Sequence, residues 1–297
     1  MKKMIWATLI ALFCYQGSAG ANVSVVATYG WIGDLVKQVG GDRVQVSVLA
    51  QPSFDPHFVP PKPSLAVKLR NADLLVINGG QLEMGWLPPI LRQSANARIQ
   101  SNSEGFLDLS SLVTLSNPRP HATRADGDVH PEGNPHYVLN PEHMPKLAFG
   151  VAHALCHLDK AGCSEYEHRL QQFESRWLQA MAAWRQRLKP LQGKAVVQYH
   201  ESFDDFAQWA GLRLVANIEP VPGVPPSASH LESLLQQVNQ QQVIMVIQEH
   251  FRDREASEWL ARQRNIPWKV LPADVGATAK SDDLFHWFDD MIGILVE

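Results

Sequence analysis

The run from Ser164 to Lys189 constrains this chain more than any other stretch. Its apolar residues Tyr166, Leu170, Phe173, Trp177, Met181, Trp184 and Leu188 recur three or four positions apart, the period of an amphipathic helix. Ser164 stands as an N-cap, Glu165 and Glu167 fall in the first turn where the helix dipole favours acids, and Lys189-Pro190 supplies a base and a breaker. At about 1.5 Å per residue the helix reaches roughly 35 to 40 Å, the height of a small domain. It can therefore serve two lobes at once. On each side of it, short β-branched runs alternate with helical ones. The expected fold is α/β, with two lobes, each a parallel sheet flanked by helices, joined by one long rigid linking helix. The divisions read as a signal peptide over 1–21, an N-terminal lobe over 22–163, the linking helix over 164–190 and a C-terminal lobe over 191–297.

The length of 297 residues suits two domains that each bury a core. The start differs from the rest. Lys2 and Lys3 precede the apolar run Met4 to Phe13, and Ser18-Ala19-Gly20-Ala21 offers small residues, the pattern of a signal peptide cleaved after Ala21. That run is too short for a permanent anchor. Cys14 is a poor lipid-attachment site because Phe13 stands where such a signal wants a small residue. Cleavage removes two of the 26 basic residues and none of the 30 acidic ones, moving the net charge from -4 to about -6. A mildly acidic chain has no basic stripe for nucleic acid, so cations, small molecules or proteins are the expected partners. Cys156 and Cys163 flank a short polar turn and in an exported protein read as a local disulfide.

Along the chain, strands are expected at Val23 to Thr28, Val44 to Leu49 and Leu74 to Ile77, with helices from Ile32 to Val39, Ser64 to Asn71 and Leu82 to Arg92. Pro88-Pro89 must interrupt the last of these. Residues 110–140 form a long irregular segment carrying His121, His130 and His136, and loops of that length in compact domains are functional or disordered. A helix from Glu142 to Leu158 precedes the linking helix. Beyond it, strands are expected at Ala195 to Tyr199, Leu212 to Ala216, Val243 to Ile247 and Trp268 to Leu271. Helices fall between them at Phe203 to Ala210, Ser229 to Gln240 and Arg254 to Arg264, and another closes the chain from Asp282. There is no nucleotide-binding glycine loop and no internal sequence repeat.

Open α/β sheets bind ligands beyond the carboxyl ends of their strands. His57 lies in the loop after the second strand, His200 directly follows Tyr199, and Asp274 comes just after Leu271. His136, stiffened by Pro135 and Pro141, completes the set. Three imidazoles and one carboxylate satisfy a tetrahedral Zn²⁺ ion, with two ligands from each side of the linking helix. The chain has twelve histidines, so many serve as surface or hydrogen-bonded residues. His143, His153, His157, His168, His230, His250 and His286 are read that way, although His250 lies at a strand end where it can line a cleft. Asp after a strand is also a common turn residue. His121 and His130, with Asp126, Asp128 and Glu132, form either a solvated loop or a mobile one that gathers ions near the cleft.

Asp55-Pro56-His57, Ala72-Asp73-Leu74, Asn78-Gly79-Gly80, Leu82-Glu83 and Trp86-Leu87 together resemble the N-terminal lobe of the metal-binding substrate-binding proteins of ABC importers. Three further segments are similar to that family's other ligand regions. They are Gly127 to Pro141 around His136, Val196 to Phe203 with Trp209 to Leu212 around His200, and Leu271 to Gly276 around Asp274. Val138 and Asn140 depart from the tryptophan and aspartate that relatives often carry. The resemblance implies zinc held between two lobes by His57, His136, His200 and Asp274, in a periplasmic, monomeric binding protein rather than an enzyme. It also implies delivery to a membrane permease, with a zinc-donating chaperone as a candidate upstream partner. His200 at the third ligand position suits the zinc branch, since manganese-type members tend to place a carboxylate there, and nitrogen donors prefer zinc. The alternatives are a manganese or iron(II) binder of the same family, a siderophore- or haem-binding protein, and a secreted zinc hydrolase. Against the last, Asp204 stands where an H-E-x-x-H pattern needs its second histidine.

Overall fold

The computed structural model describes residues 22–123 and 127–297. The expected leader and its cleavage point, and Asp126, lie outside the described residues. In the N-terminal half, strands β1 (Val23–Ala27), β2 (Val44–Val48), β3 (Leu74–Ile77) and β4 (Phe106–Asp108) form a parallel sheet in the order β2-β1-β3-β4. Helices α1 (Gly30–Gly40), α2 (Pro63–Arg70) and α3 (Leu87–Ser94) connect them, and α4 (Met144–Leu158) follows. The C-terminal half repeats the plan. Strands β5 (Ala195–Gln198), β6 (Arg213–Asn217), β7 (Val243–Glu249) and β8 (Trp268–Leu271) pair in the order β6-β5-β7-β8, again all parallel. Helices α6 (Asp204–Ala210), α7 (Ala228–Asn239) and α8 (Glu255–Arg264) link them, and α9 (Leu284–Val296) closes the chain. Strands buried on both faces, such as Leu74–Ile77, read as continuous apolar runs because helices cover each side.

Between the two sheets runs α5 (Cys163–Leu188), 26 residues and about 39 Å long. Its buried residues are the seven that the apolar spacing selects. Trp177 sits at the middle, its ring 5.1 Å from those of Trp184 and Phe285 and 5.4 Å from that of Phe288. Its indole N–H donates to the Pro141 carbonyl at 2.8 Å, so the ring is buried with its polar atom satisfied. The disulfide between Cys156 and Cys163 ties the end of α4 to the start of α5.

Three helix starts and one strand stand out against the sequence expectation. Helix α5 begins at Cys163, which puts Ser164 inside the first turn. Its N-cap position is Gly162, with no side-chain cap, and Asp159 caps the preceding 3₁₀ turn by accepting from the Gly162 N–H. The expected helix from Leu82 starts only at Leu87, because Pro88 and Pro89 fit a first turn, where no N–H is required. Helix α4 starts at Met144, after a 3₁₀ turn at Pro141–His143 that Asn140 caps. Strand β4 was not foreseen, since three residues carry no readable alternation.

Candidate metal centre

His57 stands in the loop after β2. Two buried donors, the Tyr29 hydroxyl at 2.9 Å and the Trp86 indole N–H at 3.0 Å, hold the carbonyl of the preceding Pro56 and so fix the loop. His136 is set by the turn at Asn78-Gly79-Gly80. Asn78 donates to the Pro135 carbonyl at 3.0 Å, and the Tyr137 hydroxyl donates to the Asn78 carbonyl at 2.7 Å. That turn needs glycine. Gly79 has φ +77°, and a Cβ there would lie 1.7 Å from Asp108 Oδ1. His200 follows β5 directly.

The three rings converge from both halves of the chain. Ring centres lie 5.2 Å apart for His57 and His136, 5.4 Å for His57 and His200, and 5.4 Å for His136 and His200. One donor nitrogen from each falls within 4.8 Å of the others, and all three residues are buried. Nitrogens around a tetrahedral zinc sit about 3.3 Å apart, so a small contraction would complete the geometry. The Nε2 atoms of His57 and His136 are buried with no hydrogen-bond partner. Buried polar atoms are normally paired, so orphaned lone pairs aimed into one site mark a place for a cation.

The other face of two rings is held by carboxylates. Asp55 Oδ1 lies 2.8 Å from His57 Nδ1, and Glu219 Oε2 lies 2.7 Å from His200 Nδ1. A carboxylate can only accept, so each Nδ1 carries the proton and each Nε2 is left as the donor to a metal. Burial, then the neighbouring imidazoles of His57 and His200, hold His136 well below the ordinary histidine pKa. Burial, then Arg252 and His57, do the same for His200. Both rings are neutral and ready to ligate at neutral pH. Burial alone would raise the Asp55 carboxyl, but its bond to His57 and the charges on His57 and Arg252 outweigh it and keep it ionised.

Residues 25–297 match the family model described as zinc-uptake complex component A, periplasmic. The chain belongs to this family. The family's name describes a periplasmic component of a zinc-uptake complex. Relatives include the zinc-binding lipoprotein AdcA of Streptococcus pneumoniae, 25% identical over 91% of this chain and 55% of AdcA. The manganese ABC transporter substrate-binding lipoprotein PsaA of the same organism is 23% identical over 96% and 95%. The chain spans about half the length of AdcA. A crystal structure of ZnuA superposes with a TM-score of 0.74 at 23% identity, over 92% of this chain and 96% of the other, and shares the fold.

Within this zinc-uptake family chain, the structure brings together His57, His136 and His200 and leaves Asp274 outside their cluster of donor atoms. The Asp274 carboxylate accepts from the backbone N–H of Gly30 at 2.9 Å, Trp31 at 2.7 Å and Val275 at 2.8 Å, closing the N-terminus of α1. Burial pushes its pKa up to about 6 against those bonds. It lines, with His136, Trp31 and Glu249, a cavity between the two halves. His130 flanks the cluster. Its ring centre is 5.3 Å from that of His57, and its Nε2 is buried without a partner. Burial, then His57, hold its pKa down at about 3. His121 is exposed. Asp55, Glu219 and Arg252 escaped the sequence reading as site residues. Asp55 had a local signal, two positions before His57, whereas Glu219 sits in a proline-rich connection with none.

Proposed function

We propose that the chain captures Zn²⁺ in the cleft and delivers it, as a monomer outside the cytoplasm, to an ABC permease for high-affinity zinc uptake. The single observation that carries this reading is the convergence of three buried imidazoles, with the Nε2 atoms of His57 and His136 orphaned. An all-nitrogen triad prefers zinc to manganese, which favours oxygen donors. We assign His57, His136 and His200 as ligands. Asp274 takes the fourth position, its Oδ2 accepting one backbone bond and keeping a lone pair to offer when the cleft tightens.

A second assignment of the fourth position rests on the partnerless Nε2 of His130, which would close the long loop over the ion. Titration of the metal-free protein with Zn²⁺ and, separately, Mn²⁺ against a chromophoric chelator tests the function. One tight zinc site with weak manganese binding is expected. Replacing His200 by Ala should weaken zinc by about a hundredfold or more, since a ligand is lost outright rather than merely reoriented. Tight manganese with weak zinc would overturn the assignment. Comparing Asp274→Ala with His130→Ala separates the two fourth positions, because only the true ligand's loss should shift the zinc constant strongly.

A further inference from the structure

One guanidinium ties the supports of two histidines together. Arg252, in the turn just beyond β7, places Nη1 3.1 Å from Asp55 Oδ2 and 3.3 Å from Glu219 Oε1. The other oxygens of those carboxylates hold His57 and His200. The chain of contacts therefore runs from His57 through Asp55, Arg252 and Glu219 to His200 without a gap. It crosses from the N-terminal half to the C-terminal half at a single nitrogen. The Arg252 side chain is 10% exposed, so solvent screens these contacts little. A fixed positive charge this near a dication site opposes metal binding, and its presence calls for a compensating role. Without it, Asp55 and Glu219 would repel each other and the two rings would lose their common frame.

We propose that Arg252 is a positioning residue that couples the two lobes to the metal centre by clamping the carboxylates behind His57 and His200. The clamp sets the separation of two ligands that come from different lobes, before any metal arrives. Truncating it frees each ligand to follow its own lobe.

The inference rests on zinc binding by the histidine triad, and the test separates the two. Zinc affinity is measured for the native protein, Arg252→Met and Arg252→Lys. The pair Asp55→Asn and Glu219→Gln is then measured singly and together in the native and Arg252→Met backgrounds. Arg252→Met should weaken zinc by about ten- to a hundredfold, the usual effect of losing a partner of a metal ligand. Arg252→Lys should restore most of it, because one nitrogen makes both contacts. The two carboxylate substitutions should be non-additive in the native background and additive in the Arg252→Met one. A purely structural arginine would lower the melting temperature and leave that coupling intact.

Unchanged affinity in Arg252→Met, or undiminished coupling between the carboxylates, overturns the proposal. A native protein that takes no zinc overturns the zinc reading instead. The clamp is then read without metal, by hydrogen exchange in the segment 51–59 of the opposite lobe. Faster exchange there in Arg252→Met supports the clamp, and equal exchange sinks it.

Discussion

At the scale of single residues, carboxylates in this chain do opposite things according to what surrounds them. Asp55 is backed by His57 and Arg252 and stays charged, whereas Glu83 is buried where no cation reaches it. Glu83 accepts from the Thr28 hydroxyl and from the N–H groups of Asn78 and Gly79, yet burial outweighs these bonds and raises its pKa to about 7. A carboxyl whose pKa is raised on folding binds more protons in the native state than in the unfolded one. Its contribution to stability is therefore full below the unfolded value and is lost as pH rises through about 7. Glu83→Gln cannot ionise and removes this slope. The difference in unfolding free energy between native protein and variant, from urea titrations at about pH 5 and about pH 8, should move toward the variant by on the order of 3 kcal/mol. A pH-independent difference would show that Glu83 is not held protonated. None of this was legible in the sequence, where Glu83 is one acid beside an apolar run. His57, His136 and His200 were legible because each follows a strand or sits between prolines. Their partners at Glu219 and Arg252 exist as partners only once the sheets are assembled.

At the scale of elements, the sequence was most readable where periodicity is long and least where segments are short. Helix α5 repeats its apolar spacing over seven turns, and every residue so selected is buried. Strand β4 has three residues, and its pairing with β3 depends on the neighbour rather than on its own pattern. The weight carried by α5 concentrates at Trp177, which packs on Phe173, Trp184, Phe285 and Phe288 and so joins α5 to the C-terminal helix α9. Trp177→Ala removes a fully buried indole, leaves a cavity the rigid ring cluster cannot fill, and takes one hydrogen bond from the Pro141 carbonyl, which keeps the Met144 N–H. It should cost about 3 to 5 kcal/mol, read as a lower urea midpoint. Trp177→Phe should recover part of that. A loss below about 1 kcal/mol would mean that the ring cluster does not hold α5 in place.

At the scale of the whole molecule, the two halves do not meet as separate bodies across a wet cleft. A single buried cluster runs from Val26 and Ile32 through Trp177 to Val196, Met245, Leu271 and Phe288. Polar stitches reinforce it. Asp274 caps α1 in the other half, His250 Nε2 lies 2.7 Å from the Pro52 carbonyl, Asn134 donates to the Glu201 carbonyl at 2.8 Å, and the Leu284 N–H donates to Asp34 at 3.0 Å. Opening the halves widely would expose that core, at about 25 cal/mol for each Å² of apolar surface brought into water. Contracting three histidine nitrogens from within 4.8 Å of each other to tetrahedral spacing needs only a slight approach. The energetic asymmetry favours a modest tilt about α5 on metal loading. Crystal structures of metal-free and zinc-loaded protein, with small-angle scattering in solution, should therefore differ little in the relation of the two sheets. A wide hinge closure on loading would mean that the shared core yields, and that α5 acts as a hinge rather than as a spine.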